Sequence, residues 1–284
     1  MFGVVFDGVA YGSLLFLISV GLSVTLGLMN VVNLAHGAFA MFGGYLSVWL
    51  TAAWGVPFLG TLPLVLGAGA IVGALAERVL YRRLYLASHL DQVLFTIGLT
   101  FMAVATATFF WGPTQQHVEL PEFLRGQVEV LGLDLGAYRL FLVGLVIVIT
   151  LALGGLIEHT RYGAQLRAAV DNPQVSAGLG IPVHRVFSGA FALGSGLAAL
   201  GGALGIELLG LDPNFAFEYL VYFLLVVSVG GAGSMRGTAL GALLLGVSDV
   251  AGKYYVPELG GFIIYALMIV LLSFFPAGLL GRRA

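Results

Sequence analysis

The run EHTRYGAQLRAAVDNPQVSAGLGIPVHR, Glu158–Arg185, is charged and polar, yet long apolar tracts flank it on both sides. Apolar tracts that could dissolve in lipid, interrupted by one soluble-looking segment, describe an all-α polytopic membrane bundle with a polar elbow outside the bilayer. Residues 158–170 have helix-forming character, with Arg161, Gln165 and Arg167 mixed among Tyr162, Leu166 and Ala168. Asp171-Asn172-Pro173 stops that helix and can cap a second, with Pro173 at its first position. The second helix is expected over 173–179, ending at Gly180 and followed by Ile181-Pro182, with a small apolar tip around Ala177–Ile181. A connection this long and structured is uncommon unless it has a task. The alternative is an amphipathic hairpin that only joins two spans.

Composition agrees with the bilayer. Of 284 residues, 60% are hydrophobic and 9% charged, and the mean hydropathy is +1.03, whereas soluble domains carry about 25% charge. The 42 glycines allow close helix approach in lipid. With no cysteine, disulfides, thiolate metal sites and thiol nucleophiles are all excluded. A net charge of -2 says little about partners, because its distribution matters more than its sum; membrane lipid is the expected surround and no nucleic acid is expected. The N-terminal MFGVVFDGVAYG lacks a basic region and a small-residue cleavage site, so no removable signal peptide is expected.

A helix needs about 20 apolar residues to cross the hydrocarbon. About eight or nine spans are expected, at roughly 8–29, 32–54, 58–77, 92–111, 138–157, 186–206, 217–234, 237–252 and 260–280. The second and eighth are Gly-rich, so either is a candidate for a broken or re-entrant span. With the N-terminus outside, the cytoplasmic side collects Arg78, Arg82, Arg83, Arg161, Arg167, Arg185, Arg236, Arg282 and Arg283, against Arg125, Arg139 and Lys253 outside. That asymmetry follows the positive-inside rule and predicts N-out, C-in. Tryptophans and tyrosines such as Trp49, Trp54, Trp111 and Tyr138 fall near the outer boundary, as an aromatic belt would. The largest external loop, 112–137, is broken by Pro113 and Pro121, and its VEVLGLDLG alternates like a short strand pair. It is either a lid or a docking surface. The whole chain reads as a single transmembrane domain.

The segment HTRYGAQLRAAVDNPQVSAGLGIPVHRV resembles the coupling loop of permease subunits in the branched-chain amino acid ABC transporter family. Thr160, Arg161, Gly163, Arg167, Ala168, Asp171, Ala177, Gly180, Ile181, Arg185 and Val186 fall on the family pattern. Ala164 stands where Arg or Lys is common, and Gly178 where a larger side chain is frequent. Two further signatures agree. Gly27-Leu28-Met29-Asn30-Val31-Val32-Asn33-Leu34-Ala35-His36-Gly37 resembles the family's N-terminal motif, and Gly230-Gly231-Ala232-Gly233-Ser234-Met235-Arg236-Gly237 its C-terminal one. Phe275-Pro276-Ala277-Gly278-Leu279 is similar to a terminal R-P-x-G-L, with Phe for Arg, and Ala76–Gln92 fits the cytoplasmic stretch between spans three and four. The span before the GGxGS motif often carries a Lys, but this chain has Glu218-Tyr219-Leu220-Val221-Tyr222-Phe223.

The resemblance implies an importer subunit paired with a second permease, energised by separate ABC ATPase subunits and fed by an extracytoplasmic solute-binding protein. No cofactor is expected in this chain: its only lysine, Lys253, sits in no Walker pattern, so ATP and Mg belong to the partner ATPase. Arg161, Gly163, Arg167, Asp171, Ala177, Gly180 and Ile181 are the expected ATPase-coupling residues.

Asn30, Asn33, His36 and Gly37 lie in an apolar stretch, where polar groups normally face a partner helix or a cavity. Their spacing allows Asn30, Asn33, His36 and Gly37 to share a helical face. Helix packing and pathway lining both stay open for them. For Gly230, Gly231, Gly233 and Ser234 the expectation is a tight turn closing two spans. No metal set is in view.

Other classes fare worse. A rhomboid-type protease needs a His after its Ser, but the last His, His184, precedes Ser195. An ATP-independent carrier or channel needs ionisable groups deep in spans, and Asp249, Glu207 and Glu218 are each expected to reach the interface instead. The same ABC architecture also serves urea and short amides.

Overall fold

A computed structural model describes residues 1–29, 33–85, 87–130 and 132–281. In lipid every backbone N–H and C=O must find its partner within the chain, and a helix does this locally. The apolar tracts accordingly fold as α1 (Phe2–Met29), α2 (His36–Trp54), α3 (Phe58–Val79), α4 (His89–Trp111), α5 (Ala137–His159), α8 (Val183–Leu209), α9 (Phe215–Glu218) with α10 (Leu220–Gly230), α11 (Met235–Tyr255) and α12 (Gly260–Phe274). Each of the nine expected spans coincides with one of these helices or, for α9–α10, a helix pair. Five of them (α1, α3, α4, α5 and α8) are long and apolar enough to cross a membrane by length and composition alone. The elbow is α6 (Arg161–Asp171) and α7 (Pro173–Gly178).

Helix α8 is the axis of the bundle. It is buried along most of its length, as is α1, whereas α4 and α5 are largely exposed on the periphery. Small residues let α1, α2 and α3 reach the backbone of α8. Gly21 faces Gly194, Gly43 faces Ala199, and Gly69 and Gly73 face Ala199 and Ser195. Antiparallel to α1, α11 approaches so closely that a Cβ on Gly246 would lie 2.5 Å from the Gly12 Cα.

These contacts bear on the second and eighth spans, which the sequence left open as plain or broken. Helices α2 and α11 are continuous; their glycines serve close packing rather than interruption. The discontinuity falls instead in the seventh span, at Tyr219 between α9 and α10.

A β-hairpin forms in the loop expected to be external. β1 (Gln127–Val130) pairs antiparallel with β2 (Leu133–Gly136), with Val128 opposite Leu135. The loop is pinned to the bundle where the Gln116 N–H donates to the Leu211 carbonyl at 2.7 Å.

Candidate functional site

The elbow is built by capping. The Thr160 side chain accepts from the Gly163 N–H at 3.2 Å and so starts α6. Gly163 is a requirement rather than a preference, because the Ile157 backbone fills the place of any Cβ. The last carbonyls of a helix have no intrahelical donor; near the end of α5, the exposed Arg167 donates from Nη1 to the Ile157 carbonyl. Arg167 therefore holds the α5–α6 corner, where a cation also complements the helix C-terminus. Arg161 is exposed at the start of α6, and Asp171 is exposed at its end.

The second helix starts as the sequence predicts: Asn172 Oδ1 accepts from the Val175 N–H at 3.0 Å, with Pro173 in the first turn. It ends in a Schellman closure, in which the N–H groups of Gly180 and Ile181 donate to Ala177 and Ser176, both at 3.0 Å. Gly180 sits at φ 84°, a left-handed conformation natural to glycine. Ala177 and Gly180 are exposed and Ile181 is half-buried. Val175 and Leu179 are also exposed, the latter at 78%, giving the tip an apolar end. Beside it runs a cleft of about 470 Å³, lined by residues that include Pro173, Ala177, Ile181 and Arg185.

The elbow has its own small core, in which Leu166 and Ala169 pack with Val186 and Ala190 of α8. The Tyr162 hydroxyl donates to the Val186 carbonyl at 3.0 Å. Burial pushes that phenol up to about 12, so it remains a donor at physiological pH.

The polar groups around Asn33 do not share a helical face. Asn30 lies outside the described residues. Asn33 precedes α2, its Oδ1 accepting from the Ala35 N–H at 3.1 Å, which favours a local turn over a continued helix. The same oxygen accepts from the Tyr81 hydroxyl at 2.8 Å. His36 opens α2, and its Nε2 donates to the Ile18 carbonyl of α1 at 2.8 Å. Gly37 packs against the Ala216 backbone of α9. A cavity of about 620 Å³ lies further along, between α2 and α4, lined by Phe42, Tyr45, Trp49 and Trp111 among others. None of Asn33, His36 and Gly37 lines it.

The glycine motif is a turn, as expected. Gly231 and Gly233 have φ of 96° and 80°, and Ser234 caps α11 by accepting from the Gly237 N–H at 3.1 Å. Gly230 lets α10 meet α11, since a Cβ there would lie 2.6 Å from the Thr238 Cα. The turn is tied to α1, with the Gly233 N–H donating to Ser23. It is tied to the C-terminal Phe275–Leu279 segment as well, with the Leu279 N–H donating to the Val229 carbonyl at 2.7 Å. The two C-terminal motifs therefore dock on each other.

Two features escaped the sequence reading. Asp249 is buried among its neighbours rather than exposed at a span end. It is 1% exposed and pairs with Lys253 at 2.6 Å, while Glu207 and Glu218 are exposed. Glu77, near the end of α3, is fully buried. Its Oε1 accepts from the Tyr85 hydroxyl at 2.6 Å and its Oε2 from the Ser188 hydroxyl. An acid two residues before the end of an apolar helix, in AERVLY, was the available signal.

A glycine-packed bundle of apolar helices with a capped polar elbow is the architecture of a polytopic membrane protein. The chain belongs to the family described as the permease component of the branched-chain amino acid transport system, which it matches over residues 4–272. It is 30% identical to the high-affinity branched-chain amino acid transport system permease protein LivH of Salmonella typhimurium, covering 98% of this chain and 94% of that one. It is 29% identical to LivH of Escherichia coli K12 over the same shares. To BraD, the corresponding permease protein of Pseudomonas aeruginosa, it is 26% identical, covering 97% and 94%. No solved structure matches the chain.

Proposed function

We propose that this chain is the permease subunit of an ATP-binding cassette importer that moves branched-chain amino acids, or related small amphiphilic solutes, into the cell. The observation that carries this reading is the elbow: a rigidly capped pair of helices outside the apolar spans, ending in an exposed apolar tip. Separate ATPase subunits bind that tip, hold the ATP and Mg, and move it when they close. Arg161, Gly163, Arg167, Asp171, Ala177, Gly180 and Ile181 form the coupling segment. Gly163 and Arg167 shape its corner and Gly180 its tip.

The elbow, the GGAGS turn and the clustered arginines face the cytoplasm, with the N-terminus outside and the C-terminus inside the inner membrane. Packing of the turn against α1 brings the end of α10 and the start of α11 to the same end of the bundle as Ser23, so in this reading the turn and the end of α1 share the cytoplasmic side. Asn33, His36, Gly37 and Gly230–Ser234 secure helix packing around the pathway. A second, related permease completes the conduit, and an extracytoplasmic binding protein delivers the solute and supplies most of the discrimination. The entire chain acts as one transmembrane domain.

Gentle purification of the tagged chain, followed by mass spectrometry, tests the assembly. A co-purifying Walker-motif ATPase and a second permease are expected. Uptake of labelled leucine into liposomes by the chain alone, without ATP, would replace this reading with that of a passive carrier.

A further inference from the structure

Four consecutive residues at the start of α8 are each engaged by a neighbour. The Val186 carbonyl takes the Tyr162 hydroxyl of α6. Phe187 stacks edge-on to Tyr85, with ring centroids 6.3 Å apart at 86°. The Ser188 hydroxyl donates to Glu77 of α3. Gly189 accommodates the Tyr162 ring, whose hydroxyl would lie 2.8 Å from a Cβ at that position. The second turn of α8 is therefore clamped between the elbow and the end of α3.

Glu77 is the unexpected member of this clamp. A buried carboxylate is costly unless it is hydrogen-bonded, and among the described residues Glu77 forms no ion pair. An apolar side chain would fill the site without that cost but could not accept two hydroxyls at once. Its two oxygens receive two donors from different elements, one on α8 and one on the turn (Tyr81–Leu84) and residue 85 that follow α3. The contact between α3 and α8 continues along the bundle, Gly73 against Ser195 and Gly69 against Ala199.

We propose that Glu77 is the positioning residue that ties the second turn of α8, to which Tyr162 holds the elbow, to the end of α3, so that the three move as one rigid body. Displacement of the elbow tip then reaches the α3–α8 pair undiminished instead of being absorbed by bending at the α6–α8 corner. The proposal rests on the elbow being the ATPase contact, and the test separates the two.

The chain has no cysteine, so cysteines introduced into it are its only labelling sites, and the chain can be labelled before the transporter is assembled. Spin labels at L179C on the tip and R82C beyond α3 report, by pulsed EPR, whether the two move together between nucleotide-free and ATP-trapped states. The distance is expected to stay constant in the otherwise native chain and to become state-dependent in E77Q and S188A. In the same variants, labelled leucine transported per ATP should fall by about 2- to 30-fold, the range found for substitutions along coupling networks, while ATP hydrolysis continues. S188A keeps the carboxylate and loses one bond, so the test survives if the Glu77 variants fail to assemble.

A state-dependent distance in the native background overturns the proposal. So does an unchanged distance and transport ratio in both E77Q and S188A. Cross-linking of L179C to the ATPase distinguishes the failures. With the cross-link present, a negative EPR result removes the joint alone; with it absent, the elbow reading falls and takes the joint with it.

Discussion

Replacing Gly180 by alanine isolates a single physical effect. A Cβ there would meet nothing within 4 Å, so the substitution creates no clash. What it adds is a side chain on a residue at φ 84°, and an L-residue in that region costs about 1–2 kcal/mol. The helix it terminates has only six residues, and its closure depends on the Gly180 and Ile181 N–H groups. The substitution should therefore raise the equilibrium opening of the tip by about 5- to 30-fold. Amide hydrogen exchange measures this directly: protection of the Gly180-position and Ile181 amides should drop by that factor, while α8 stays protected. Gly180→Asn, which tolerates the left-handed conformation better, should recover part of the protection. Binding-protein-stimulated ATPase should follow the same order. Equal exchange in the native chain and Gly180→Ala, or equal loss in Ala and Asn, would refute the argument that backbone conformation holds the tip.

Gly43→Val drives a side chain into the Ala199 backbone; overpacking of this kind costs about 1–3 kcal/mol, seen as a lower melting temperature in detergent by fluorescence-detected size exclusion. Ser234→Ala removes the cap of α11 and should lower stability by about 1 kcal/mol, with Ser234→Asp close to native in the same assay. Lys253→Met leaves the buried Asp249 without its partner; because that lysine is half-exposed, a loss of about 1–3 kcal/mol is expected. The double change Asp249→Asn with Lys253→Met should restore most of it, and failure to do so would mean the pair is not the cause. By contrast, the exposed Arg236–Glu158 pair is worth no more than about 1 kcal/mol, so Glu158→Gln should barely move the melting temperature, least of all in high salt.

The elbow was legible because its signals are local. Asn172, Pro173 and Gly180 act on backbone groups within a few residues of themselves, and the sequence reading placed both helices within a few residues of where they fold, although it started the first at residue 158 and did not read Thr160 as its cap. The spans were legible for the same reason, since the hydrocarbon imposes a run length that hydropathy measures. The polar cluster near Asn33 was only half read. Its residues were identified, but helical spacing was assumed where Asn33 instead turns the chain and meets Tyr81.

Composition and local chemistry thus determined that this chain is a helical membrane bundle, where its spans lie and that a capped elbow leaves it. Tertiary structure alone decided what the glycines and buried acids are for. A glycine that breaks a helix and one that admits a neighbouring backbone look alike along the chain, and they differ only by what lies opposite. Glu77 finds Ser188 across 111 positions and Asn33 finds Tyr81 across 48. Those pairings depend on how the helices cross, which no local pattern encodes.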